Sequence, residues 1–289
     1  MRVLICGAGG FIAVSYTHLK LCGGLGNQLW QVSFARALEA AGNEVKFDRQ
    51  YYDSDTTRAY TLDHWNTQVE FAPPVGEEIF EGTLRYQPEL IRKYNKDCTF
   101  NGYWQSPRYL TGIEPVLRQE FTLKHCPSPQ SLTVAGQILQ SNSVFIHIRR
   151  TDSLAVRGLA FHGVVPLDYY ERAIRWVATN AGPIEVFVFS DDIEWCRDNI
   201  PWPVTFVDHN STGVVADSEY VLTRTDAGTE FEDLWLMGLC KHGITANSSF
   251  SFWAGWLIKN PEKVVVSPDA WFTPVHNAES RDMVNWIRM

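Results

Sequence analysis

Five apolar runs in the second half of the chain, alternating with helix-forming stretches, restrict this protein to few architectures. The runs are SVFIHIR, IEVFVFS, VTFVD, GITA and KVVVSP. Between and after them lie PLDYYERAIRWVATN, DIEWCRDNI, TEFEDLWLMGLCKH and SFSFWAGWLIKN, which read as helices. Strands that are apolar on both faces belong in a parallel sheet covered by helices on both sides. The first half opens in the same way. THLKLC reads as a strand and GGLG as a tight turn. In NQLWQVSFARALEAAG, Leu29, Val32, Ala35 and Leu38 fall near helical spacing, closed by Gly42, and EVKFD is the next strand. Residues 50 to 100 look irregular and aromatic, with a loop at Pro73–Pro74. TFNGYWQSPRYL reads as a strand end followed by a loop, and a helix is expected from Gly112 to Glu120. The polar, proline-containing KHCPSPQS suggests a domain break. The chain is expected to be α/β, with an appendage at 1–16, one domain at 17–135 and a second at 136–289.

The start, MRVLICGAGGFI, resembles the first strand and glycine turn of a dinucleotide-binding fold. A helix should follow, but AVSYTHLKLC and a second glycine turn at Gly23 leave no room for it. Residues 1–16 therefore read as a truncated fingerprint.

The ends of the apolar strands are unusually polar. The first ends in Arg149, Arg150 and Asp152, the second in Ser190, Asp191 and Asp192. The third ends in Asp208 and His209, the fourth in Asn247, Ser248 and Ser249. In a parallel sheet the ligand site lies beyond the carboxyl ends of the strands, so these groups suggest one polar site. Strand alternation puts Val144, Ile146 and Ile148 on one face and Phe145, His147 and Arg149 on the other. A guanidinium is a planar fork of donors suited to phosphate oxygens, and two in succession can grip a diphosphate. An ordinary salt bridge from the arginines to Asp152 or a neighbouring carboxylate fits the spacing equally well. His147 reads first as a hydrogen-bonded core histidine. Ser248 or Ser249 should start a helix whose exposed N–H groups favour an anion. Asp191 or Asp192 could cap the next helix or bind ribose hydroxyls. In the first half, Gly24 and Gly26 allow close backbone approach, and Asn27 and Gln28 open the helix. Trp253 and Trp256 read as core.

A net charge of -8 argues against a general nucleic-acid surface. The six cysteines are scattered with no C-x-x-C pair, which disfavours a zinc site or disulfide framework and favours a reducing, cytoplasmic compartment. No apolar run approaches the roughly 20 residues that span a bilayer, and no signal peptide is read at the start.

In order, GGLGNQLWQVSFARAL, GYWQSPRYL, FIHIRRTD, VFVFSDD and DLWLMGLCKHGITANSSFSFWAGWL resemble the α-1,2-fucosyltransferases of glycosyltransferase family 11. The closing VNWIRM resembles that family's end, so the resemblance covers about residues 18 to 289. It implies a GT-B-like architecture, two Rossmann-like domains facing a cleft. It also implies GDP-β-L-fucose as donor, a galactoside acceptor, inversion at the anomeric carbon, and neither metal nor cofactor. Arg149 and Arg150 would then hold the donor pyrophosphate and Asn27 would reach the donor from the other domain. Asn247, Ser248 and Ser249 would contact phosphate, with Ser190 and Asp191 near the nucleoside. Asp152 is the nearest carboxylate to serve as base or as anchor for the arginines. The sequence departs from the family at residues 1–16, at Phe252, in the order Ala254–Gly255, and in a longer connection from Asn210 to Thr229, expected as a surface loop or small hairpin. An enzyme acting on membrane-borne glycolipid would work peripherally at the inner leaflet. Two other readings stand beside this one. An NAD(P)-linked sugar-nucleotide epimerase or reductase would use GAGGFI and a Tyr-x-x-x-Lys pair, for which only Tyr16 and Lys20 offer themselves. A non-catalytic carbohydrate-binding protein would carry a degenerate site.

Overall fold

The computed structural model describes residues 15–54, 57–83, 85–150, 163–210, 214–218, 221–224, 228–271 and 285–289. The fingerprint glycines and Asp152 lie outside them. So does most of the proposed appendage, of which only Ser15 and Tyr16 are described.

Two parallel sheets organise the chain. The first contains β1 (Thr17–Lys20), β2 (Val45–Asp48), β3 (Glu77–Phe80) and β4 (Cys98–Asn101), in the order β2-β1-β4-β3. All three pairings are parallel. Helix α1 (Leu25–Ala40) crosses from β1 to β2. It begins two residues before Asn27, with Gly24 in extended conformation as its N-cap. A single turn, α2 (Tyr51–Ser54), follows β2. Strand β3 was not anticipated: EEIF is an edge strand with mostly exposed residues, so it lacks an apolar signature.

Helices α3 (Glu114–Glu120) and α4 (Pro129–Gln140) lead into the second half. Sequence reading missed α4. The helix begins inside the polar break, whose Ser128 is its N-cap, with the hydroxyl accepting from Ser131 N. The helix runs through positions 135 and 136, so it is the crossing segment of the proposed two-domain division.

The second sheet has the order β12-β11-β10-β5-β6-β7. Its strands are β5 (Ser143–Ile148), β6 (Glu185–Ser190), β7 (Thr205–Phe206), β10 (His242–Ile244), β11 (Val265–Ser267) and β12 (Ile287–Arg288), all paired in parallel. The long polar connection contains an antiparallel hairpin, β8 (Val214–Ser218) with β9 (Val221–Arg224). Helices α5 (Leu167–Ala181), α6 (Ile193–Asn199), α7 (Glu230–Leu239) and α8 (Ser249–Leu257) complete the unit.

Strand β5 is buried along its whole length, and its faces divide as alternation requires. Val144, Ile146 and Ile148 join one core with Tyr169, Tyr170, Ala173 and Val177 of α5. Phe145 faces a second core that is continuous with α1 and the first sheet. That second core joins the halves. Trp30 of α1 stacks on Phe252 at 4.5 Å and meets Trp253 at 4.8 Å. Trp253 Nε1 donates to Gly26 O at 3.0 Å. Trp253 and Trp256 are core residues, and Phe252 fills its place by stacking on Trp30. Two parallel α/β units thus face one another in a GT-B-like arrangement, with a cleft at their carboxyl edges.

Sheet order places the crevices. In the second sheet the chain moves one way from β5 through β6 to β7, and the other way from β10 through β11 to β12. The switch point lies between β5 and β10. In the first sheet it lies between β1 and β4. Ligands of open parallel sheets bind beyond the strand ends at such points.

Candidate active site

A cleft of about 280 Å³ opens where the two switch points meet. From the second unit, His147, Arg149, Ser190, Asp191, Ser248 and Ser249 line it. From the first, Gly24, Gly26 and Asn27 line it.

Arg149 leaves β5 on the face shared with His147. Its Nη1 donates to Ser248 Oγ at 2.9 Å. Ser248 is the N-cap of α8, yet its side chain makes no capping bond. The hydroxyl is turned to the arginine instead, and the first turn of α8 is left without a side-chain cap. Helix α1 also lacks a side-chain cap, and neither helix has an acidic residue in its first turn. The two helix starts converge. A Cβ built on Gly26 would lie 2.4 Å from Phe250 N and 2.6 Å from Ser249 C, so main chain meets main chain there. Asn27 Oδ1 accepts from Ser249 Oγ and from Gln105 Nε2, each at 2.8 Å. Two positive helix ends and the Arg149 guanidinium at a single cleft favour an anion there.

His147 is 8% exposed and acts as a strut. Its Nδ1 lies 2.6 Å from Ser251 Oγ, which accepts from Ala246 N at 3.0 Å. The ring therefore ties β5 to α8 beside Arg149.

The structure separates the two adjacent arginines. Arg150 does not line the cleft. Its guanidinium lies 3.5 Å over the Trp195 ring, and its Nε donates to Asp192 Oδ2 at 3.3 Å. Its backbone N–H donates to Asp191 Oδ1 at 2.8 Å. For Arg150 the salt-bridge reading of the sequence is what the geometry shows. Asp192, not Asp191, caps α6 through Trp195 N. Gln28 is also turned away from the cleft. It is fully buried, donates to Gly23 O and Ala59 O, and accepts from Thr61 N. Asn247 is buried behind the cleft wall, with Nδ2 3.4 Å from Gly163 O. The third strand end does not join the site: Asp208 pairs with Arg197, and His209 Nε2 lies 2.8 Å from Ser131 Oγ on α4.

Sequence reading missed Glu230 and Asp233 on α7, Arg58, and the tyrosines Tyr51 and Tyr103, all of which line the cleft. Burial pushes the Glu230 carboxyl up to about 7, opposed by its own N–H and by Arg58. Burial likewise pushes Asp233 up to about 7, opposed by the Asn210 amide and reinforced by Glu230 and Glu232. Asn210 Nδ2 donates to Asp233 Oδ1 at 2.6 Å.

These raised carboxyls give folding a pH dependence of definite sign. They keep their protons to higher pH in the folded protein than in the unfolded chain. Stability therefore falls as pH rises from about 4 to about 7 and levels above that. Asp233→Asn removes one such group and keeps an oxygen to accept from Asn210. Its stability relative to wild type is expected to rise by about 2 kcal/mol between pH 5 and pH 8 in urea unfolding. A difference that stays constant with pH would show that Asp233 titrates normally.

A cleft between two parallel α/β units, with Arg149 and two helix starts turned into it, suits an anionic ligand such as a phosphate ester. The sequence profile described as Glycosyl transferase family 11 matches residues 89–289, so this is a glycosyltransferase of that family. The chain is 37% identical over 316 aligned positions to the Escherichia coli O-antigen biosynthesis glycosyltransferase WbnK, covering 93% of this chain and 99% of that one. It is 29% identical to an Escherichia coli alpha-1,2-colitosyltransferase, covering 90% and 93%. It is 27% identical to human galactoside alpha-(1,2)-fucosyltransferase 1, over 65% of this chain and 51% of that one. The epimerase reading gains nothing from Lys20, which sits in β1 and pairs with Glu78 at 2.5 Å.

Proposed function

We propose that the enzyme transfers L-fucose from GDP-β-L-fucose to the 2-hydroxyl of a galactoside, with inversion and without a metal ion. One observation carries this reading: Arg149 is held by Ser248 at a cleft where two uncapped helix starts converge. Transfer creates charge on the departing diphosphate, and fixed donors aimed at that charge lower the barrier. Arg149 and the first turn of α8 would take the diphosphate, and Gly24 and Asn27 would close on it from the first unit. Ser190 and Asp191, at the end of β6, would lie beside the nucleoside. Arg150 would act as a positioning residue, fixing the strand end through Asp191, Asp192 and Trp195. Asp152 is the proposed base or anchor. The names of the relatives support an α-1,2 linkage and a galactoside acceptor.

The acids of the cleft fit this reading through their protonation. Three ionised carboxylates would repel a diphosphate. With Glu230 and Asp233 held up to about 7, the cleft carries less negative charge below neutrality. GDP affinity is therefore expected to weaken as pH rises through 7, measured by isothermal titration.

The reading is tested by thermal shift in EDTA with GDP, GDP-fucose, GDP-colitose, UDP and UDP-galactose. GDP at about a hundred times its Kd should stabilise the fold by about 2.7 kcal/mol. No shift with GDP, or a shift that needs added Mg²⁺, overturns the proposal. GDP-fucose with lactose should then yield GDP and a 2-linked product. Among the described residues no helix is long and apolar enough to cross a membrane. Peripheral association with glycolipid acceptors is carried as part of the proposal, testable by vesicle flotation.

A further inference from the structure

The first sheet's switch point carries a turn whose construction the donor site does not explain. Strand β4 ends at Asn101 and runs into Gly102, Tyr103, Trp104 and Gln105. Trp104 has φ = 57°, the one positive φ outside glycine among the described residues. A bulky residue adopts that conformation only where its surroundings enforce it, and such strain gathers at functional sites.

The enforcement is visible. Glu81 accepts from Tyr103 N at 2.7 Å through Oε2 and from Trp104 N at 3.1 Å through Oε1. Gln31 Nε2 donates to Gly102 O at 3.0 Å, and Gln105 Nε2 reaches Asn27. The Trp104 ring is fully buried and stacks on Phe34 at 4.3 Å. Four consecutive residues are thus locked from four directions. Tyr103 is the one of them left 41% exposed at the cleft, where Tyr51, 43% exposed, also lines the wall.

We infer that Tyr103 and Tyr51 form the platform on which the acceptor sugar stacks, with Tyr103 fixed by the strained turn. This rests on the proposed galactoside transfer. An inverting displacement needs the acceptor hydroxyl opposite the departing diphosphate. The diphosphate is assigned to Arg149 and the starts of α8 and α1, which leaves the rest of the first unit's wall, where Tyr51 and Tyr103 stand, for the acceptor. A tyrosine offers an apolar ring face and a polar rim, so it can hold a sugar by its C–H face and its hydroxyls together. In a galactoside the axial 4-hydroxyl leaves the hydrogens at C3, C4 and C5 on one face. An equatorial 4-hydroxyl, as in a glucoside, breaks that face. The platform therefore selects galactosides. Glu81 is a positioning residue.

The experiment measures acceptor KM with lactose, and GDP affinity, in the full-length protein. Tyr103→Ala should raise acceptor KM about tenfold, while its Kd for GDP stays within threefold of wild type. Tyr103→Trp, which keeps a ring, should recover most of the loss. Glu81→Gln should move acceptor KM in the same direction by a smaller factor, since it weakens the hold on the turn without touching the sugar. Saturation-transfer NMR on the wild type with GDP and lactose should favour the galactose H3, H4 and H5 signals. The inference falls if acceptor KM is unchanged in Tyr103→Ala, or if saturation spreads evenly over the sugar. If wild-type protein binds no GDP, the transfer proposal fails and takes this one with it. If GDP binds and only acceptor KM refuses to move, this inference fails alone.

Discussion

Arg149→Ala is expected to lower fucosyl transfer by about 10³-fold in a protein that still folds. The guanidinium is the one cation placed at the end of β5 facing the cleft, 2.9 Å from the Ser248 hydroxyl at the start of α8. Removing one preorganised donor from a developing anion costs about 10²–10³ in rate, and this donor is charged. The side chain lines the cleft and is not part of either hydrophobic core, so the melting temperature should move by a few degrees at most. Arg149→Lys should fail nearly as badly, because a point charge cannot present the fork. Single-turnover transfer from GDP-fucose, with calorimetry for the fold, reads both parts. Full turnover in folded Arg149→Ala would remove the site assignment. The neighbouring Arg150→Ala should show a milder loss, since its guanidinium lies over Trp195 rather than in the cleft.

Gly26→Ala is expected to destabilise the protein by about 3 kcal/mol. Its methyl would meet Phe250 N at 2.4 Å and Ser249 C at 2.6 Å. Both are main-chain atoms, so no rotamer change relieves the overlap, and α1 must move away from α8. That movement would break the bonds from Ser249 to Asn27 and from Trp253 to Gly26, and loosen the stack of Trp30 on Phe252. Alanine's better helix propensity, worth about 1 kcal/mol, does not offset this. GDP binding should weaken as well, because the two helix starts would no longer converge. Gly24→Ala is the control. Its Cβ would meet nothing nearer than Arg58 Cδ at 3.5 Å, so stability should hold. Equal stability of Gly26→Ala and wild type in urea would show that the two helices are not in main-chain contact.

Much of the local structure was legible because it is written in short-range periodicity. The buried face of β5 follows from alternation alone, and the cores on its two sides divide as the residues predict. The hairpin in the long connection was one of two readings its composition allowed. Strand β3 and helix α4 were not legible for opposite reasons. One is an exposed edge with no apolar pattern, the other starts inside a polar, proline-containing segment. Glu230 and Asp233 escaped notice because acids in a helix's first turn already have an ordinary explanation, the helix dipole. Gln28 was drawn toward the substrate by its place in a glycine motif, whereas its amide is fully used by Gly23, Ala59 and Thr61.

The sequence by itself determined the parallel α/β class, the residues at the strand ends, and the family. Those depend on side-chain period and on motifs carried by contiguous residues. Only the tertiary structure decided which strand ends become neighbours, since that follows from sheet order and from the packing of α1 against α8. It also decided between Arg149 and Arg150, one peptide bond apart. Ser248 draws the first into the cleft, while Asp192 and Trp195 hold the second against α6, and those partners come from segments about 40 to 100 positions away.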